Sequence, residues 1–88
     1  MDRFERKLAD YLKLKRVKST FTQFDVAKKI GYTSPQFISN IERGLCFPPN
    51  KVLKEMVKLY KIKPTEIMRL LVEIDTQRWK KVLTKKAS

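Results

Sequence analysis

Gln36 and Asn40 carry the side chains best suited to reading another molecule. They stand in the run Ser34-Pro35-Gln36-Phe37-Ile38-Ser39-Asn40-Ile41-Glu42-Arg43-Gly44. A carboxamide offers an N–H donor beside a carbonyl acceptor, and Gln or Asn can pair in bidentate fashion with the edge of adenine in a DNA major groove. On a helix, residues at i and i+4 share a face. Phe37, Ile38 and Ile41 supply apolar positions that would anchor such a helix from behind. Its outer face is then Ser34, Pro35, Gln36, Ser39, Asn40 and Arg43, with no large aliphatic residue among them. Glu42 is expected to support the fold, because a carboxylate beside phosphates is unfavourable.

The elements that must position this run are legible on either side of it. Thr33 is expected to open the helix as N-cap, with Pro35 in the first turn, where its missing N–H costs nothing, and Gln36 completing a T-x-x-Q capping box. Gly44 closes it. Upstream, Thr22 is an N-cap for a short helix to about Ile30. Asp25 completes a near capping box there, Phe21 and Val26 are spaced for a hydrophobic staple, and Gly31 suits the left-handed residue past the end. Ala27 is expected where the two helices cross, since a larger side chain would push them apart. Two short capped helices separated by Gly31-Tyr32 form a helix-turn-helix pattern.

The remaining periodicity is helical throughout. Phe4, Leu8, Tyr11 and Leu12 share a face of a first helix from about Arg3 to Leu14, after which Lys13, Lys15, Arg16 and Lys18 lead into a connector. Pro48-Pro49-Asn50 opens a fourth helix to about Tyr60, with Leu53, Met56, Val57 and Tyr60 on one face. Pro64 suits the first position of a fifth, striped by Ile67, Leu70, Leu71 and Ile74. Trp79, Val82 and Leu83 extend apolar character towards the end, either over the monomer core or into a contact between copies. No segment reads as a strand. The expected fold is all-α: a compact five-helix domain over residues 1–75, with an extended C-terminal helix and a basic extension at 76–88.

Composition limits what such a domain can do. Its 88 residues allow one domain, and 42% hydrophobic content supplies a core. Twenty-one Lys and Arg against nine Asp and Glu give a net charge of +12, which draws a polyanion: DNA, RNA or an anionic membrane. Most of the lysines are read as solvated surface. Without histidine and with only Cys46, neither a zinc finger nor an intrachain disulfide can form. No Gly-rich phosphate loop or metal-ligand spacing is present, so an enzyme, a metal site and a cofactor are not expected. Apolar runs are too short to cross a membrane, and the start MDRFERKLAD lacks a signal peptide's apolar core. Cys46 is read as a small apolar filler in a loop.

Residues 22–44 admit two readings at this point: a helical hairpin whose apolar residues are all core, or a DNA-reading unit. The segment FTQFDVAKKIGYTSPQFISNIERGLCFPP resembles the phage-repressor and Cro proteins with a helix-turn-helix, the Xre-type family. Thr22-Gln23, Val26-Ala27, Gly31, Ile38-Ser39, Ile41-Glu42-Arg43-Gly44 and Pro48 carry the resemblance. The stretch from Gly31 to Gly44 holds one residue more than the commonest spacing of the family, in the turn Gly-Tyr-Thr-Ser-Pro. The resemblance implies base contacts from Ser34, Pro35, Gln36, Ser39 and Asn40. It implies phosphate contacts from Gln23 and Arg43, with Lys28 and Lys51 as supplements.

The resemblance also implies a cytoplasmic, bacterial or phage-encoded transcriptional regulator, a repressor that binds a palindromic operator in double-stranded DNA as a homodimer. RNA polymerase or a toxin protein are further partners it allows. The alternative is an antitoxin-type or other protein-interaction module, against which the basic, helical stretch 76–88 argues mildly. RNA binding is disfavoured because no exposed aromatic platform is evident.

Overall fold

The computed structural model describes residues 3–85, with side chains from Arg6 onward. Among them are five helices and no strand: α1 (Arg3–Lys18), α2 (Gln23–Ile30), α3 (Gln36–Glu42), α4 (Asn50–Leu59) and α5 (Pro64–Thr84). The core is continuous across all five. Leu8 and Leu12 from α1, Val26 and Ala27 from α2, Ile38 and Ile41 from α3, Val52 and Met56 from α4, and Ile67 and Ile74 from α5 are buried together with Tyr60 and Ile62. Each large aliphatic side chain removed from water contributes about 1.5–3 kcal/mol before the entropy of ordering is set against it. Phe4, expected on the apolar face of α1, lies outside the described side chains, and residues 86–88 lie outside the described residues.

Several expected boundaries move, each for a local reason. α1 runs to Lys18, a turn beyond Leu14. Lys and Arg are good helix formers, and Lys15, Arg16 and Lys18 in the last turn complement the negative end of the helix. α3 begins at Gln36, so Thr33 is not its N-cap. Thr33 as cap would require Ser34 to be helical, and a residue that precedes proline is driven out of the α region. Pro35 instead stands at the cap position with φ −73° and ψ −6°, and the Ser34 hydroxyl accepts the Gln36 N–H at 3.2 Å. The capping box expected from Thr33 and Gln36 is thereby replaced by a shorter contact.

One side chain expected to pack does not, and of the two readings open for Trp79 the monomer-core one is removed. Cys46 is exposed, in a loop whose neighbours Leu45 and Phe47 are exposed as well; Pro48 is the residue that this loop buries. Trp79 is more than half exposed, so it is not part of the monomer core. α5 runs unbroken through position 75, and its last turns stand clear of the body. On α4 the buried positions are Val52, Met56 and the following Tyr60, while Leu53 and Val57 are only half-buried.

The α1–α5 contact uses two of the chain's nine acidic side chains, Glu66 and Glu73. The Tyr11 hydroxyl donates to Glu66 Oε1 at 2.7 Å, Lys15 pairs with the same oxygen at 3.1 Å, and Lys7 meets Glu73 at 2.6 Å. These contacts hold Glu66 below the usual carboxylate range, through the Tyr11 hydrogen bond first and Lys15 second. Burial, then the hydrogen bond to Glu66, pushes Tyr11 ionisation upward.

Candidate nucleic-acid interface

The site starts from how α2 is begun and ended. The Thr22 hydroxyl accepts the Asp25 N–H at 3.0 Å, and Asp25 Oδ2 accepts the Thr22 N–H at 2.9 Å, a complete reciprocal box. These bonds hold the Asp25 carboxyl below its ordinary value. Gly31 ends α2 with φ +97°, the left-handed region that a side chain strains. The Tyr32 N–H then reaches back to the Ala27 carbonyl at 2.8 Å, closing the helix end. Tyr32 turns its ring onto Phe37, with centroids 4.6 Å apart, so the turn is packed onto α3.

α3 is fixed from behind by Ile38, Ile41 and Glu42, all buried. Glu42 is a buried carboxylate, its side chain 2% exposed. Arg16 reaches it from α1 with two donors, Nε to Oε2 at 2.6 Å and Nη2 to Oε1 at 3.0 Å. A third donor of Arg16, Nη1, holds the Phe21 carbonyl at 2.8 Å, and Gln23 Nε2 donates to Glu42 Oε1 at 3.0 Å. One carboxylate therefore fastens α1, the start of α2 and the end of α3. The hydrogen bond to Glu42 raises the Arg16 guanidinium above its ordinary value. Nearby, burial and then the charge of Glu42 push Tyr60 ionisation upward, and its buried hydroxyl has no hydrogen-bond partner among the described residues.

With its inner face occupied, α3 presents Ser34, Gln36 and Arg43 as exposed and Pro35, Ser39 and Asn40 as half-exposed. Gln36 and Asn40 are joined, Gln36 Nε2 donating to Asn40 Oδ1 at 2.9 Å. Each amide nitrogen carries two protons. Gln36 keeps one N–H and its carbonyl oxygen for a ligand, and Asn40 keeps both of its N–H groups. Arg43 follows the last turn, its carbonyl held by Arg6 Nη2 at 2.9 Å, and its side chain is exposed. Lys28 on α2 and Lys51 in the first turn of α4 are also exposed. The outer face of α3 bears no carboxylate, because Glu42 is turned inward.

The structure thus gathers Gln36 with Asn40 on one face and places Ser34 against the start of that helix. Gln23 is drawn inward by its side chain, while its position at the first turn of α2 leaves a backbone N–H without a helical partner. The residue that sequence reasoning missed is Arg16, taken there for part of a basic connector. Its signal was available only in combination: a buried-side Glu42 needs a cation, and no spacing rule links positions 26 residues apart.

Comparison with known proteins agrees with this geometry. A family model described as helix-turn-helix matches residues 12–67, from the middle of α1 to the first turn of α5. No curated protein and no solved structure matches the chain. Among the described residues no helix is long and apolar enough to cross a membrane.

Proposed function

Because this chain belongs to the helix-turn-helix family of DNA-binding regulators, of the Xre and phage-repressor type, we propose that it is a repressor that binds a palindromic operator as a homodimer. The observation that carries the reading is the outer face of α3, where the Gln36–Asn40 pair is exposed among small polar residues with no carboxylate. α3 enters the major groove and Gln36 pairs with adenine, its orientation set by Asn40. Ser34, Pro35 and Ser39 line the same contact.

Arg43, Lys28 and Lys51 neutralise phosphates around α3. Gln23 offers the strand its backbone N–H from the first turn of α2 while its side chain stays on Glu42. A seven-residue helix touches only a few base pairs, too few to select one site in a genome. Two copies spaced by one helical turn, roughly 34 Å, resolve this, and their twofold symmetry demands a palindrome. Selection of bound duplexes from a random DNA pool tests the reading. The expected outcome is an inverted repeat with adenine at a fixed place in each half. Recovery of no preferred sequence would overturn it.

A further inference from the structure

The polar outer face of α3 has an aromatic edge that its amides do not account for. At about 100° per residue, Gln36, Asn40 and Arg43 share one sector of the helix, and Phe37 stands about 60° round from Asn40, between that sector and buried Ile41. Phe37 is half-buried. Tyr32 lies on it from the turn, with ring centroids 4.6 Å apart and the ring planes 36° from parallel, a separation usual for packed aromatic pairs. Tyr32 is nonetheless 40% exposed. Covering Phe37 accounts for the side of the ring that is packed and not for the part left in water.

The fold asks little of this side chain. What closes α2 is the Tyr32 N–H on the Ala27 carbonyl at 2.8 Å, and any residue except proline supplies that donor. The same bond and the contact with Phe37 hold the ring in place. From Gly31 to Ile41 the chain carries no charged side chain, so the edge is apolar and a phosphate finds no cation on it.

The chemistry of the major groove names what such an edge can meet. The base pairs line that groove with hydrogen-bond donors and acceptors, and the one apolar group among them is the C5-methyl of thymine. Resting on the DNA-reading role proposed above, we propose that Tyr32, backed by Phe37, reads the methyl group of a thymine beside the adenine that Gln36 pairs with. Tyr32 is thereby a specificity-determining residue outside the recognition helix. Because Phe37 already fixes the ring, the contact orders little on binding.

The first test alters the DNA alone. In the duplex recovered by selection, each thymine is replaced in turn by deoxyuridine, which removes the methyl group and keeps every hydrogen-bonding group of the base. Gel-shift titration of the unaltered chain is expected to find one thymine per half-site where the exchange weakens binding about fourfold, the factor that one buried methyl or methylene group corresponds to. Tyr32→Ala should bind the thymine and deoxyuridine duplexes alike at that position. Tyr32→Phe keeps the ring without the hydroxyl and should retain the fourfold ratio. A ratio taken on one preparation is insensitive to its folded fraction. Should Tyr32→Ala lose its helical signal altogether, Tyr32→Gln, whose longer side chain still shields Phe37, decides in its place.

If no thymine responds by more than about twofold, the proposal fails and sequence reading by Gln36 and Asn40 stands. A ratio kept in Tyr32→Ala would overturn Tyr32 as the reader. A ratio lost in Tyr32→Phe would overturn the methyl contact in favour of one made by the hydroxyl. Recovery of no preferred duplex would overturn the DNA-reading role, and this proposal with it.

Discussion

The Nε2 of Gln36 donates to the Oδ1 of Asn40 across one turn of α3, at 2.9 Å. The bond orders a long, flexible side chain before any ligand arrives, which lowers the entropy that binding must offset. It also makes the two residues a unit rather than two independent readers. Gln36→Ala is expected to cost roughly 1–3 kcal/mol on the selected site and to relax preference at one or two positions. Asn40→Ala is expected to lose part of the same energy by releasing Gln36. The double variant should therefore lose less than the sum of the two. Strict additivity in gel-shift titrations would mean that the two side chains act separately.

Arg43 is expected to behave differently, since a phosphate contact positions the protein without reading sequence. Arg43→Ala should weaken binding to selected and random duplexes by the same factor. A loss confined to the selected duplex would make Arg43 a base contact.

Salt dependence follows from the charge. If about six phosphates are neutralised in the complex, log K should fall against log salt concentration with a slope near −5. Titrations over a fourfold range of salt measure it directly. A nearly flat dependence would contradict an interface built on Arg43, Lys28 and Lys51.

The Arg16–Glu42 pair makes a prediction about stability rather than contact. Both side chains are largely buried, at 11% and 2% exposure. Removing one partner leaves the other charge buried and uncompensated. Glu42→Ala is expected to cost about 3–5 kcal/mol, a large share of what a domain of this size possesses. Glu42→Gln should cost less, because the carboxamide oxygen can still accept from Arg16 or Gln23. Thermal unfolding of both variants gives the order, and equal stability of Glu42→Ala and the unaltered chain would show that the pair does not hold the helices.

Asp25 links the α2 cap to pH. Its folded-state value is lowered by the hydrogen bonds to Thr22, so its contribution is fully present above the unfolded value of about 3.9. That contribution is lost as pH falls through the lower, folded value. Asp25→Asn should therefore narrow the stability difference between pH 6 and pH 3 without removing the helix. Identical acid limbs in chemical denaturation would show that the cap makes no pH-dependent contribution.

The extension of α5 is expected to be dispensable for folding. From Thr76 to Lys85 every residue is exposed except half-buried Gln77. Deleting residues 76–88 should preserve the helical signal of the remainder while abolishing cooperative operator binding. Unchanged cooperativity would place the contact between copies elsewhere, with the exposed loop of Leu45, Cys46 and Phe47 the next surface to test.

By itself the sequence determined the local devices of this protein. Thr22 with Asp25, Gly31 and Pro64 each act within one turn of chain, so their types and spacing suffice to start or stop a helix. The 3.6-residue recurrence of apolar residues then names the inner faces, and the charge with the polar face of α3 names the class of partner. Tertiary structure alone decided how those pieces meet. The start of α3 moved to Gln36 because Pro35 constrains the residue before it, overriding a capping pattern that Thr33 satisfies on paper. Arg16 joined Glu42 because folding brings the ends of α1 and α3 together, a proximity that no periodicity encodes. Trp79 stayed in solvent for a related reason: spacing shows that a stretch is apolar, but only the packing of the other helices decides which of its residues they cover.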